Sequence, residues 1–284
     1  MTSSPRMSSN SAPQNASVQN TAGWRIACVV AYLVMIVVNA LANALPLFGR
    51  STGEVSAAYP TLFTPAPYTF SVWGVIYLLL AGFVVCQALP RYSDNPRLAA
   101  ARPLFVLSCL LNAAWLVSWH ALAITVSEVL MLALLVTLIV LYLRVNAWRA
   151  PASGGERWYL DLPFAVYLGW ISVATIANTA IFLVSLGVDG GSSAPLLTIV
   201  MVAAAALLGL LASATRRDWG YTLVIAWALG GVAAARSSEA ADSAGIVTAA
   251  LIAAGLMVAT ALVSMILLGR KRGIPAKEFS SPHL

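Results

Sequence analysis

The chain has 284 residues, 60% of them hydrophobic and only 9% charged, against about a quarter charged in soluble domains. Several apolar runs exceed the roughly 18 residues that mark a membrane span, so the sequence specifies an all-α, polytopic membrane bundle and excludes a soluble globular fold. The net charge of +6 does not imply nucleic acid, because the basic residues are scattered over connecting loops instead of clustering on one folded element.

Residues 1–22 are rich in Ser, Asn, Gln, Thr and Ala, with Arg6 the lone basic residue, and are expected to form a disordered tail. The first span is expected from about Trp24 to Leu45, with Trp24 and Arg25 as interface anchors and Pro46 ending it. A cleaved signal is the rival reading, because Ala42-Asn43-Ala44 follows the apolar run as a cleavage site would. Against it stand the long polar leader and the pair Asn39 and Asn43, four apart on one face as bundle-facing amides would be.

A connection of about twenty residues, Pro46 to Pro65, is long for a membrane bundle and is expected to have a role of its own. It leads into the second span, Pro67 to Leu89, whose first turns carry Phe70, Trp73 and Tyr77 at helical spacing on one face. The third span is expected from Pro103 to Trp119, Pro103 suiting a first helical turn, and a very tight turn within His120 to Thr125 leads to a fourth ending near Leu143. After a polar loop, Asp161 is placed to cap a fifth span opened by Pro163 and ending near Leu186. Three further spans are expected at Pro195 to Ala214, Trp219 to Ala235 and Ala244 to Gly269, closed by the basic cluster Arg270-Lys271-Arg272. The resulting plan has about eight transmembrane helices: a tail over 1–22, a five-helix unit over 23–188, three additional helices over 189–270, and a C-terminal tail over 271–284.

Charge supports the count. With eight spans, every one of the sixteen Lys and Arg residues except Arg50 and Arg236 falls on one side, whereas the ten acidic residues split evenly. The basic side is the cytoplasmic one, so both termini are expected in the cytoplasm of a multi-pass cell-membrane protein. Cys28, Cys86 and Cys109 lie in apolar segments without metal-ligand spacing, so neither a disulfide framework nor a metal site is indicated.

Polar groups inside the bilayer are costly and normally face the bundle or a cavity. Asn39 and Asn43 mark such a face in span one; Ser108, Asn112, Trp115 and Trp119 in span three; Tyr167, Trp170, Ala174 and Asn178 in span five. Together with Phe70, Trp73 and Tyr77 they outline an aromatic pocket with a few amide donors, suited to a flat apolar ligand. Gly74 and Ala174 are expected to leave room against the tryptophan rings. Packing and interhelical hydrogen bonding are the plainer alternative for each stripe. His120 and Glu128, near the ends of spans three and four, are candidates for a proton or polar relay, or else interface residues that meet water. Spans six to eight are rich in small residues and are expected to serve as a packing extension or oligomer surface, with no visible substrate path. No Walker loop, nucleophile elbow, HExxH or paired-carboxylate motif occurs, so nothing points to catalysis.

Three motifs carry a resemblance. Pro65-Ala-Pro-Tyr68-Thr-Phe70-Ser-Val-Trp73-Gly-Val-Ile-Tyr77 resembles the Pro-Pro-x-Trp-x-Phe-Gly-Pro-x-Trp-x-x-x-Tyr signature of the tryptophan-rich sensory protein family, the TspO/MBR or translocator proteins. Leu111-Asn112-Ala-Ala-Trp115 is similar to the family's third-helix motif, and Tyr167-Leu-Gly-Trp170 through Ala174-Thr175 to Asn178 to its fifth-helix motif. The resemblance covers about residues 24–187. Ser71 stands for the family's Gly-Pro with one residue missing, and Val166 for a proline, as in a divergent, extended branch.

The resemblance implies a non-enzymatic binding or sensory protein in which Trp73, Tyr77, Asn112, Trp115, Trp170 and Ala174 line a pocket for porphyrin, haem or sterol-like ligands, under a lid formed by the first loop. No cofactor is required; a porphyrin or haem would be the ligand. The expected partners are the lipid bilayer, a hydrophobic small molecule and a second copy of the chain in a homodimer, with no nucleic acid. Proton-coupled transport of a small hydrophobic or amphipathic solute is the alternative, and porphyrin turnover a further one.

Overall fold

The computed structural model describes residues 12–44, 47–50, 52–147, 154–238 and 243–270. Residues 1–11, the loop at 148–153 and the C-terminal tail expected from 271 lie outside the described residues, as does the side chain of Asn43. The described residues form ten α-helices in order: α1 (Ala12–Ala44), α2 (Thr52–Ala58), α3 (Val72–Ala88), α4 (Pro96–His120), α5 (Ile124–Asn146), α6 (Gly154–Glu156), α7 (Leu162–Ser185), α8 (Ala194–Arg216), α9 (Trp219–Arg236) and α10 (Ala244–Arg270). No strand occurs among the described residues. α1 begins at Ala12, inside the segment expected as a tail, although its membrane-length apolar part runs from Ala22 to Ala42.

Among the described residues, seven helices are long and apolar enough to cross a membrane, one fewer than the eight expected. The exception is α9, whose 18 residues are diluted by Trp219, two further aromatic residues, three glycines and Arg236. It still lies in the middle of the C-terminal helices. A turn through Arg217 and Asp218 joins it to α8, and it packs against α7, α8 and α10. A helix whose faces meet protein needs less hydropathy than one facing lipid. On the other side of the molecule α1 packs on α3 and α4, α4 on α5, and α5 and α3 on α7. α7 therefore joins the two groups, and every residue from Pro163 to Val173 is buried.

Two helix starts differ from expectation for local reasons. α4 begins at Pro96, about two turns before Pro103, which lies inside the helix. The Asn95 side chain accepts hydrogen bonds from the backbone N–H groups of Arg97 and Leu98 at 3.0 and 3.1 Å, and Pro96 occupies the first helical position, a stronger start than Pro103 offers. Asp161 does not cap α7. It ends a π-turn, Arg157–Asp161, that runs directly into the helix, and its carboxylate accepts from Arg97. Arg97, 7% exposed, also lies 3.5 Å from Glu156 and donates through Nε to the Val145 carbonyl at 3.1 Å. A loop-side charge read from sequence as a topology signal is thus a buried brace joining α4, α5 and the entry to α7.

Candidate functional site

The three motif-bearing helices bring their aromatic faces together. The chain enters α3 through a 3-10 turn, Pro67–Ser71, with Pro67 at its start fixing φ where no donor is needed. This turn sets Phe70 edge-on against Trp170, ring centroids 6.0 Å apart, and delivers Trp73 to the centre of the cluster. Trp73 stacks on Tyr77 at 5.5 Å, tilts against Trp115 at 6.3 Å, and meets Tyr167 and Trp170 edge-to-face at 6.0 and 6.2 Å. Trp115 in turn stacks on Trp119 at 5.9 Å. Offset and edge-on contacts of this kind favour rings beyond their burial by about 0.5–1.5 kcal/mol per pair.

A polar layer backs the rings. Asn39 of α1 donates to Asn112 Oδ1 at 3.0 Å and to the Met35 carbonyl at 2.9 Å, and its own Oδ1 accepts from the Tyr77 hydroxyl. On the far side Asn178 Oδ1 accepts from Trp115 Nε1 at 3.2 Å and from Ser127 at 3.1 Å, while its Nδ2 donates to Glu128 at 2.6 Å. Thr179 donates to the other Glu128 oxygen at 2.7 Å. Glu128 and His120 are both buried, 6% and 0% exposed, so the expectation that they meet water at an interface is corrected. His120 Nδ1 lies 2.8 Å from the Leu116 carbonyl. Their burial follows from the tight turn through residues 121–123, which folds α4 and α5 against each other, with α5 packed in turn on α7.

Trp170 Nε1 is buried in this layer without a hydrogen bond, and the Tyr167 hydroxyl, also buried, has only the Asn112 side chain as a hydrogen-bonding neighbour. A buried donor costs about 1–3 kcal/mol if left unsatisfied. The three residues lie on α4 and α7 around Trp73, which touches the rings of both Tyr167 and Trp170. Asn39, Phe70, Trp73, Tyr77, Asn112, Trp115, Trp170 and Asn178 thus form one contiguous constellation. Ala174 is half-buried one turn beyond Trp170. Gly74 is not part of it: the residue is exposed, and a Cβ there would meet nothing within 4 Å, so the expected relief against Trp73 is absent.

Contacts from α9 hold the mouth of the cluster, which sequence reasoning missed. The Ala66 N–H donates to the Gly231 carbonyl at 3.0 Å, Trp227 Nε1 donates to the Thr69 carbonyl at 2.9 Å, and Tyr68 packs edge-on against Trp227. A Cβ at Gly231 would lie 2.1 Å from Thr69 Oγ1, so only glycine allows this approach. The one available signal was Trp227 itself, a lone aromatic among small residues. Beside the cluster lies a cavity of about 670 Å³, bounded by the first loop, the end of α7, the start of α8 and the end of α9. Of the expected site residues only Phe70 lines it.

Among known families, a family model described as TSPO-like protein matches residues 25–263. The matched region runs through α8 and α9 into α10, well past residue 187 where the motif resemblance stops. No curated protein and no solved structure matches the chain.

Proposed function

This chain belongs to the TSPO-like protein family, and from that membership we propose that it is a non-catalytic membrane receptor whose aromatic cluster binds a flat, largely apolar ligand of the porphyrin, haem or sterol-like kind. The observation that carries the reading is the buried, unpartnered Trp170 indole N–H, set with the Tyr167 hydroxyl and the Asn112 amide around the Trp73 stack. A flat ring with polar edge groups satisfies such donors and replaces ring-on-ring contacts with ring-on-ligand contacts. Because Trp73 now fills the space among Tyr77, Trp115, Tyr167 and Trp170, entry requires its ring or the 3-10 turn to move aside. The charge asymmetry of the loops supports both termini in the cytoplasm and the first loop on the opposite side.

Titration of protoporphyrin IX into the purified protein, followed by tryptophan fluorescence, tests the reading. Saturable quenching is expected, with affinity at least tenfold weaker in Trp73→Ala and Trp170→Ala; quenching that does not saturate would sink it. A second reading is proton-coupled solute movement. The buried Glu128 carboxylate favours it, because Asn178 links that group directly to Trp115 of the cluster. Uptake into liposomes that depends on a pH gradient and is lost in Glu128→Gln would select this reading over simple binding.

A further inference from the structure

The cavity beside the aromatic cluster is built mostly from loop and turn. Residues 60–67 of the first loop form one wall, Val188, Asp189 and Gly190 of the α7–α8 turn another, and helix ends supply the rest, with Leu183, Leu197 and Met201 on the apolar side. Loop and turn backbone needs partners for its N–H and C=O groups that hydrocarbon does not offer, and Asp189 is exposed. The cavity therefore lies at the water end of the bundle. At about 670 Å³ it falls within the roughly 300–1,000 Å³ of small-molecule sites.

Phe70 belongs to the cavity and the cluster alike. It lines the cavity, and its ring meets Trp170 edge-on with centroids 6.0 Å apart, so this one side chain stands between the two. Phe70 is half-buried, whereas Trp115 and Trp170 behind it are 5% and 3% exposed. The 3-10 turn that carries it is tied to α9 through Ala66 and Thr69. Those ties end at Thr69, so the Phe70 ring can change rotamer while the turn stays in place.

We propose that the cavity is the entrance chamber of the aromatic site: a flat ligand docks there first, from the water on the side of the first loop, and Phe70 turns aside to pass it to Trp73 and Trp170. The inference rests on the reading of the cluster as a ligand site and adds the route and the gate. An obstacle on such a route raises the barrier to entry and to exit alike, so it changes rates and leaves affinity as it was.

The test follows protoporphyrin IX binding to the purified full-length protein by stopped-flow tryptophan fluorescence. Leu197→Cys places a thiol on the chamber wall at a residue 46% exposed, and a bulky methanethiosulfonate reagent then plugs the chamber of a protein already folded. The plugged protein is expected to bind and to release porphyrin at least tenfold more slowly at unchanged Kd, and dithiothreitol should restore both rates. The native chain treated in the same way controls for Cys28, Cys86 and Cys109, and Leu186→Cys, at a residue 61% exposed that does not line the chamber, should be modified without effect. Independently, Phe70→Ala should speed association at least fivefold. Saturable binding with native rates in the plugged protein, a plug that alters Kd instead of rates, or native rates in Phe70→Ala would overturn the entrance and leave the aromatic site standing. No saturable binding in the native chain would sink the functional reading and this inference with it.

Discussion

Asn178 uses three of the four hydrogen-bonding capacities of its amide: the oxygen accepts from Trp115 and Ser127, and the nitrogen donates to Glu128. Removing it strands an indole N–H in a dry site and takes one of two donors from a buried carboxylate. Asn178→Ala is therefore expected to lower stability by about 2–4 kcal/mol, read as a shift in denaturation by added SDS in mixed micelles. Glu128→Gln should cost less, because its amide oxygen still accepts from one of the two donors; a larger loss than in Asn178→Ala would contradict the network. These amides were legible in the sequence, since steps of three and four residues put Asn112, Trp115 and Asn178 on the faces of α4 and α7 that meet. Gly74 was not. A helix apolar all round offers lipid and bundle the same kind of side chain, and nothing in its periodicity says which way a glycine points.

α9 is the element whose role sequence concealed, and both of its ends can be tested. At its start Asp218 accepts from the Tyr221 backbone N–H at 3.1 Å and from the Tyr142 hydroxyl at 2.5 Å, so it caps α9 and ties it to α5. Burial raises the Asp218 pKa above the ordinary carboxylate value, outweighing the opposing pull of these hydrogen bonds and of nearby Arg216. The folded state then holds this proton more tightly than the unfolded chain does. The resulting stabilisation is fully present below the unfolded pKa and fades as pH rises through the folded one. Asp218→Asn keeps a capping oxygen without the titration, so the difference in unfolding midpoint between the native chain and this variant should move in the variant's favour as pH rises across that window. Asp218→Ala should lose about 1 kcal/mol of cap at every pH. At the other end, Gly231→Val drives a side chain into Thr69 and should release the 3-10 turn. The check is hydrogen exchange over residues 61–71, where the Ala66 amide is held by the Gly231 carbonyl. Unchanged protection would mean that α9 does not hold the turn. The grip of α9 on the 3-10 turn was not legible, because its partners are more than 150 residues apart in sequence and no local spacing encodes such a contact.

At the scale of the whole molecule, the apolar runs and the loop charges gave the helical plan. They did not reveal that the C-terminal helices complete the mouth of the aromatic site. The reason lies in α7, buried all along its first half because α3 and α5 cover one side and α9 another, with Tyr221 donating to Ser172 across that second contact at 2.9 Å. In lipid, separating such helices forfeits packing and hydrogen bonds but exposes little to water. A chain ended after Gly187 is therefore expected to insert and keep the contacts of α1, α3, α4, α5 and α7. It should nevertheless lose the hydrogen bonds to Ala66 and Thr69 supplied by Gly231 and Trp227, together with the ring contact on Tyr68. Loosening the turn that carries Phe70 and leads into Trp73 adds an ordering cost to ligand binding. One lost tether of about 1.4 kcal/mol corresponds to a tenfold weaker affinity. Protoporphyrin titration of the shortened chain should show that weakening, with faster exchange over 61–71 and unchanged exchange in the α4–α5 pair. Native affinity and native exchange in the shortened chain would detach α8–α10 from the site and leave them as packing alone.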